Sequence, residues 1–314
     1  MPSVCFYFQV HQPFRIKHYS VFDIGKDHFY EDGEKNKWIM DKVSEKCYLP
    51  ANKKMLELIK RHKGKFRISY SLSGTVIEQM ELFRPDVLQS FVELAKTGCV
   101  EFLSETYFHS LSFLFNKDEF ERQIKEHDQK IEQYFKQKPT VFRNTELIYN
   151  NELAAFIEKM GFKGILCEGV DRLLKDRHPN QLLKPTGTKS IKALLKNYRL
   201  SDDIAFRFSD KNWSEWPLHA DTFASWIHKV AGNGDVINLF MDYETFGEHQ
   251  WKDTGIFDFF AVFVAKFLKD KYNEFVMPTE VFEKYNKAET RETLPVYDVP
   301  EPISWADVDR DLTA

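Results

Sequence analysis

Apolar runs of strand length alternate along this chain with stretches of helical spacing, and several of the runs end in polar residues. Short runs bounded by turn residues predict strands at 3–10, 66–72, 99–103, 141–146, 163–167, 193–197 and 236–242. Apolar residues three and four positions apart predict helices at 50–61, 75–80, 85–96, 118–137, 151–160, 200–208, 218–230, 254–268 and 279–285. Strands that alternate with helices favour an α/β fold with parallel strands, and about seven strands favour a barrel over an open sheet.

One predicted connection is much longer than the others. Residues 14–45, between the first strand and the first predicted helix, are polar and rich in Lys, Asp and Tyr. Connections of this length within a compact domain are uncommon and often functional. We therefore expect this insertion to shape access to a site.

Composition excludes several classes of protein. The net charge of −4 over 314 residues lacks the basic footprint of a nucleic-acid binder. No apolar run approaches the roughly 20 residues that span a bilayer, and the first residues do not resemble a signal peptide. Cys5, Cys47, Cys99 and Cys167 form no C-x-x-C pair, which predicts buried thiols in a reducing compartment. We expect a cytoplasmic protein without nucleic-acid or membrane partners, of undetermined oligomeric state.

Polar residues mark the ends of four predicted strands. A single acid after a strand is usually a helix cap or a solvated turn residue. Several together carry more weight, because parallel strands share one carboxyl-terminal edge, where catalytic groups gather in βα folds. The residues concerned are His11 and Gln12, then Glu101, Glu105 and His109, then Glu146, and finally Asp242 and Glu244.

Glu146 and Asp242 are candidates for a catalytic carboxyl pair, the minimum machinery for cleaving a glycosidic bond. The nearby Arg143 would lower the pKa of Glu146, and the hydrophobic surroundings of Asp242 would raise its pKa toward general-acid duty. The plain alternatives are a rim salt bridge for Glu146 and a helix cap for Asp242. Glu244 faces the same side as Asp242 only if the strand continues.

The histidines raise a second hypothesis, a His/Asp metal site. His11, His109 and His249 could join Asp242 around a metal ion. Neither H-x-x-x-H nor H-E-x-x-H spacing is present, so we predict no metal and no other cofactor. A histidine beside carboxylates more often donates a hydrogen bond to a substrate hydroxyl, and core packing also remains open for His11.

Taken in order, five short motifs resemble those of glycoside hydrolase family 57, the α-amylase, 4-α-glucanotransferase and amylopullulanase family. They are His11-Gln12-Pro13, Gly98-Cys99-Val100-Glu101-Phe102, Phe142-Arg143-Asn144-Thr145-Glu146, Met241-Asp242-Tyr243-Glu244-Thr245-Phe246-Gly247, and Ser304-Trp305-Ala306-Asp307 with Arg310-Asp311-Leu312. The resemblance spans essentially the whole chain, and its fourth and fifth motifs are the most specific.

The resemblance implies a retaining mechanism in which Glu146 is the nucleophile and Asp242 the general acid/base. Substrate-binding candidates are His11, Gln12, Glu101, His109, Glu244 and Trp305. The implied fold is an incomplete seven-stranded parallel (β/α)7 barrel. We expect the barrel to occupy residues 1–275, and residues 276–314 to form a short helical extension that begins a truncated helical region.

The predicted activity is retaining hydrolysis of α-1,4-glucans or maltooligosaccharides, of the α-amylase type. Three alternatives stay open. A 4-α-glucanotransferase would pass the sugar to an acceptor instead of water. A metal-dependent polysaccharide deacetylase would need a His/His/Asp cluster, and a catalytically weak α-glucan-binding domain would bind oligosaccharide without turnover.

Overall fold

Seven parallel strands form the centre of the fold. The computed structural model describes residues 3–26, 28–174, 177–230, 234–284 and 294–306. Ten strands occur among these residues: β1 (Ser3–Val10), β2 (Ile68–Leu72), β3 (Val100–Phe102), β4 (Val141–Arg143), β5 (Gly164–Cys167), β6 (Leu182–Pro185), β7 (Lys192–Leu195), β8 (Ile237–Asp242), β9 (Glu274–Phe275) and β10 (Val296–Tyr297). The parallel row runs β8-β1-β2-β3, continues through a parallel bridge between Ser104 and Phe142, and ends β4-β5-β7.

The barrel is incomplete between β7 and β8. There the described residues form no ladder, although the Asn197 backbone N–H donates to the Asn238 carbonyl at 2.8 Å. This arrangement confirms the predicted incomplete seven-stranded parallel barrel. The structure adds three short strands that were not predicted: β6 is antiparallel to β7, β10 pairs with β6, and β9 pairs with the start of β1.

Helices cover the outside of the barrel. They are α1 (Gly33–Val43), α2 (Leu49–Arg61), α3 (Gly74–Phe83), α4 (Pro85–Ala95), α5 (Lys117–Phe135), α6 (Asn151–Lys159), α7 (Asp171–Leu174), α8 (Tyr198–Ala205), α9 (Ala220–Val230), α10 (Ile256–Phe267) and α11 (Pro278–Lys284). All nine predicted helices occur, with shifted ends. Helix α1 was not predicted, because it lies in the polar insertion at 14–45, where only Asn36, Met40 and Val43 of its residues are buried.

Alternation along the strands separates two environments. Buried side chains that include Cys5, Tyr7, Leu103, Val141 and Phe240 pack against one another on the inner face of the barrel. Their neighbours, such as Phe6 and Phe8, pack outward against the helices. Side chains two residues beyond the inner apolar layer, toward the carboxyl ends of the strands, are polar, and this end carries the candidate site.

Some of the other predictions are confirmed by the structure, and others stay untested. All four cysteines are free and buried, as predicted. No helix among the described residues is long and apolar enough to cross a membrane. The expected boundary at residue 275 stays a prediction, and the described part of 276–314 contains β10 as well as helix α11. In the fifth motif, Asp307 and Arg310-Asp311-Leu312 lie outside the described residues.

Candidate active site

A cavity of about 200 Å³ opens at the carboxyl-terminal end of the barrel. Of the eight site residues predicted from the sequence, seven line it. The lining residues are Gln9, His11, Gln12, His109, Arg143, Glu146, Asp242, Glu244, His249 and Trp305. They lie at or after the carboxyl ends of strands β1, β3, β4 and β8 or come from the tail, so the expected convergence of strand ends occurs.

Glu146 stands on a tight turn just after β4. The turn, Thr145–Leu147, holds Glu146 at φ 58° and ψ 18°, a left-handed conformation that costs a non-glycine residue about 1–3 kcal/mol. Two contacts from the tail hold it there: Ser304 Oγ donates to Glu146 Oε2 at 3.1 Å, and the Trp305 backbone N–H donates to the Glu146 carbonyl at 3.0 Å. The turn therefore presents this carboxylate to the cavity.

The Glu146 carboxylate is held ionised by its neighbours. A hydrogen bond from His109 Nε2, 3.3 Å from Glu146 Oε1, is the largest influence and lowers the pKa to about 2. Partial burial opposes this, while the charge of Arg143 and the Ser304 hydroxyl reinforce it. The predicted effect of Arg143 is thus confirmed in sign, but the histidine contributes more.

His109 bridges two carboxylates. Its Nδ1 lies 3.0 Å from Glu105 Oε2, opposite the contact of its Nε2 with Glu146. Burial alone would lower the pKa of His109, but the two carboxylates raise it above its ordinary value. The ring of His11 stacks on it at 4.2 Å, and burial together with the charge of His109 lowers the pKa of His11 to about 3. The stack therefore pairs two imidazoles whose pKa values are displaced in opposite directions.

Asp242 is the last residue of β8 and pairs with Gln9 of β1. Burial raises its pKa, and the charges of Arg143 and His249 only partly oppose that effect. The predicted direction is confirmed, and its largest cause is desolvation by burial. Two carboxyl groups in one cavity thus have pKa values displaced in opposite directions.

Glu244 does not project into open solvent. It is buried in a short turn after β8, where it accepts hydrogen bonds from the Tyr48 hydroxyl and, at 3.2 Å, from Gln12 Nε2. Burial and the neighbouring charge of Asp242 raise its pKa to about 7. Glu244 and Gln12 therefore form one wall beside the candidate acid.

Glu101 is the predicted site residue that the structure places elsewhere. Its carboxylate accepts hydrogen bonds from the hydroxyl and, at 3.1 Å, from the backbone N–H of Thr279, at the start of helix α11. Side chains alternate along a strand, so Glu101 and Glu105 share the inner face, but only Glu105 lies at the cavity end. The substrate-binding role implied for Glu101 is not supported by this placement. The sequence signal for Glu105 is its position between a predicted strand and His109, which by itself indicates no role for this residue.

A larger groove of about 670 Å³ lies beyond the loop that follows β8, lined by Glu45, Lys46, Pro50, Gly247, Trp251, Lys252 and Asp253. Lys46 Nζ lies 5.6 Å from the centre of the Trp251 ring, and Glu45 faces Arg84 at 2.8 Å. The groove contains none of the eight site residues predicted from the sequence, so we assign the candidate site to the smaller cavity. Within the described ranges no group of three or more His, Cys, Asp and Glu side chains has metal-binding geometry.

A model of glycosyl hydrolase family 57 matches residues 5–298. The chain belongs to this family. A protein of Methanocaldococcus jannaschii named "Putative alpha-amylase" is 44% identical to this family 57 member over 99% of the chain. The chain spans 65% of that protein's length.

Solved structures support the same fold. The family 57 branching enzyme of Pyrococcus horikoshii superposes with a TM-score of 0.71 at 13% identity, covering 97% of this chain and 73% of the other. The 4-α-glucanotransferase of Thermococcus litoralis gives a TM-score of 0.68 at 16% identity, covering 90% of this chain and 40% of the other. At these identities the likeness concerns the fold alone, whereas the family model and the 44% identical relative confirm the family expectation drawn from the five motifs.

Proposed function

We propose that this family 57 member cleaves α-1,4-glucans by a retaining mechanism, with Glu146 as nucleophile and Asp242 as general acid/base. The observation that carries the proposal is the opposed displacement of the two pKa values within one cavity. An ionised carboxylate suits attack on an anomeric carbon, whereas a carboxyl group with a raised pKa binds its proton more readily and suits protonation of the leaving oxygen.

The reaction would proceed in two displacements. Glu146 attacks the anomeric carbon and forms a β-linked glycosyl ester, while the proton of Asp242 passes to the departing glycosidic oxygen. Asp242, now a carboxylate, then removes a proton from an incoming hydroxyl, which attacks the same carbon and restores Glu146. A retaining enzyme places its two carboxyl groups about 5–5.5 Å apart.

The other cavity residues have supporting roles in this proposal. Trp305 packs its ring against Phe206 and Phe240, at centroid distances of 6.1 and 5.6 Å, and supplies an aromatic wall for a sugar face. His11 and Gln12 supply polar groups for sugar hydroxyls. Hydrolysis requires water as the second acceptor, while a sugar acceptor would make the same chemistry a 4-α-glucanotransferase.

The deacetylase alternative loses its basis, because it depends on a His/His/Asp metal cluster and the described residues form none. The binding-domain alternative predicts oligosaccharide binding without turnover. Maltoheptaose incubation distinguishes it: shortened products support hydrolysis, and longer products as well support transfer.

Azide rescue assigns the two carboxyl groups. With an α-maltosyl fluoride and azide, Glu146→Ala should give the β-azide, because azide takes the place of the nucleophile. Asp242→Ala should give the α-azide, because azide attacks the glycosyl ester from the other face. Anomeric proton couplings distinguish the products. Each variant should lose at least about 10³-fold in kcat on maltoheptaose without azide.

Glu101→Ala is the control, since this carboxyl group also lies inside the barrel but outside the cavity. It should be active without azide and give no glycosyl azide. Exchange of the two anomers between the variants would reverse the roles, and full activity of Glu146→Ala would refute the proposal.

A further inference from the structure

Glu105 is a fully buried carboxylate at the end of the barrel that holds the cavity, and the proposed mechanism does not use it. Its Oε1 accepts hydrogen bonds from Ser71 Oγ at 2.8 Å and Gln9 Nε2 at 3.1 Å, and its Oε2 faces His109 Nδ1 at 3.0 Å. Arg143 Nη1 lies 4.0 Å from the same Oε2. A charge buried without such partners would be prohibitively costly, so these contacts define an ionised group.

The geometry favours a doubly protonated histidine between the two carboxylates. A neutral imidazole carries one N–H, so it can donate to one carboxylate and would turn a lone pair toward the other. His109 faces Glu105 through Nδ1 and Glu146 through Nε2. Both contacts are satisfied when both ring nitrogens carry protons, and the ring is then an imidazolium.

The backbone holds this bridge in position. His109 has φ 53°, in the same left-handed region as Glu146. The Ser110 N–H donates to Thr106 Oγ1 at 2.8 Å, and Thr106 Oγ1 lies 3.1 Å from Thr145 Oγ1, directly before Glu146. The two uncommon turns are therefore fastened to each other, and the imidazole is aimed at the carboxylate.

We propose that Glu105 is a positioning residue that holds His109 as an imidazolium against Glu146 and thereby keeps the nucleophile ionised. This inference rests on the proposed function, since it concerns the same nucleophile. Glu105 touches neither the cavity nor the reacting atoms, and it acts through His109.

Other charged groups around His109 do not replace Glu105. Arg143 on β4 opposes a second cation nearby, and His11 contributes a neutral ring. Asp242, at the end of β8, is another carboxyl group that lines the cavity, and burial raises its pKa. On helix α5, His127 Nδ1 lies 3.5 Å from the Glu105 backbone N and 3.6 Å from Asp128. Glu105 is therefore the group that faces His109 opposite the nucleophile with a full negative charge.

Glu105→Gln separates this role from a purely structural one. The amide oxygen can still accept from Ser71 and Gln9, so the ties among β1, β2 and the β3 end are kept. The amide N–H now faces His109 Nδ1 and can donate to it only when that nitrogen is unprotonated. His109 then becomes a neutral ring whose Nε2–H still reaches Glu146. The shape is conserved, and the charge is lost.

The test is the titration of His109 by imidazole NMR, together with the pH profile of kcat/KM on maltoheptaose. In Glu105→Gln we expect the pKa of His109 to fall by about one pH unit or more, and the acidic limb of the profile to move upward. We expect kcat to fall about 10- to 100-fold and KM to change much less, because the loss concerns the charge of the nucleophile.

Glu101→Gln is the matched control, because it makes the same change at a buried carboxyl group four residues earlier, on β3. It should leave the titration of His109 and the acidic limb unchanged. The inference is overturned if Glu105→Gln also leaves both unchanged, or if the two variants behave alike. If Glu105→Gln does not fold, His109→Gln, which removes the same charge and leaves Glu105 in place, should move the acidic limb upward, and an unmoved limb overturns the inference.

Failure of the proposed function would be visible separately. Turnover that survives Glu146→Gln would refute the nucleophile assignment, whereas the titration of His109 in the resting protein reports the link to Glu105 without turnover. If the pKa of His109 falls as expected in Glu105→Gln but Glu146→Gln is still active, the proposed function is rejected. The role proposed for Glu105, keeping the nucleophile ionised, is then rejected as well.

Discussion

Two carboxyl groups on the inner face of the barrel, four positions apart in the chain, behave in opposite ways. Glu101 lies on β3 and Glu105 follows it, and both are buried. Burial raises the pKa of Glu101 to about 7, and the hydrogen bonds from Thr279 oppose this only in part. Burial would also raise the pKa of Glu105, but the hydrogen bond and charge of His109, together with Arg143 and His127, lower it to about 2.

The difference shows what distinguishes the cavity end of the barrel from the other end. Desolvation acts on both groups, so burial alone cannot assign a function. Cations decide the outcome: Arg143 and His109 stand beside Glu105, whereas neutral donors of Thr279 face Glu101. The end that holds the cavity is therefore distinguished by an ionised carboxylate, Glu105, with cationic side chains beside it.

Removing the central cation should have the largest effect on this contrast. Arg143 is 1% exposed, and its charge lowers the pKa values of Glu105, Glu146 and Asp242. In Arg143→Met the pKa values of all three should rise, and kcat/KM should fall by at least about 100-fold at neutral pH as the proposed nucleophile, Glu146, loses electrostatic support. The measurement is the pH profile of kcat/KM, whose limbs should both move upward.

Stability should fall with activity in Arg143→Met. Breaking a buried ion pair from one side costs about 3–5 kcal/mol. We expect the lower end of that range, since Nε and Nη1 of Arg143 have no hydrogen-bond partner among the described residues and their removal recovers part of the cost. Urea unfolding measures the change. Arg67→Met is the control: Arg67 pairs with Glu280 at 3.0 Å and should cost less than about 1 kcal/mol. Equal losses would remove the distinction between the two ends.

Glu101→Gln should have an intermediate effect, and on stability alone. The folded protein raises the pKa of Glu101 to about 7, above the ordinary 4.5, so the folded state holds a proton that the unfolded chain has released. Stability from this group is therefore fully present below about pH 4.5 and is lost as pH rises toward 7. Glu101→Gln should remove that decline, gaining about 2–3 kcal/mol on the parent between pH 4.5 and 7.

Urea unfolding at several pH values checks this, and kcat/KM of Glu101→Gln should stay within a few-fold of the parent. A gain that is independent of pH would show that Glu101 is ionised throughout. A large loss of activity would return Glu101 to the substrate-binding role that the sequence resemblance implied.

The sequence carried most of the fold and most of the site. Apolar runs with period two and helical runs of period 3.6 are local signals, so the seven barrel strands could be predicted from them. The short strands β6, β9 and β10 could not, because partners distant in the chain create them. Glu146 and Asp242 could be named because their segments end in carboxylates within specific motifs.

The electrostatic arrangement was harder to predict. Arg143 is three residues from Glu146, so its effect was visible in the sequence. His109 lies 37 residues from Glu146, and their contact exists only after β3 and β4 come together. Alternation along the chain places both Glu101 and Glu105 on the inner face of the barrel, and they differ in which of them lies at the cavity end. That difference depends on where each strand ends, which the local sequence pattern does not determine.

The smallest expected effect concerns the hydrogen-bond donors to Glu101, at the end of the barrel away from the cavity. The Thr279 hydroxyl donates to Glu101 Oε1, and Thr279→Val removes that donor while the backbone N–H stays. The pKa of Glu101 should rise further, and unfolding should cost about 1 kcal/mol less at pH 8, where the lost bond was to a charged group, with a smaller change at pH 5. Thr140→Val is the control, since Thr140 Oγ1 lies 3.0 Å from Thr279 Oγ1 without reaching Glu101. Its effect should be the same at both pH values. If Thr279→Val lowers the free energy of unfolding equally at pH 5 and pH 8, Glu101 has the same charge at both pH values. The carboxyl groups at the two ends of the barrel would then differ less in ionisation than the neighbouring cations indicate.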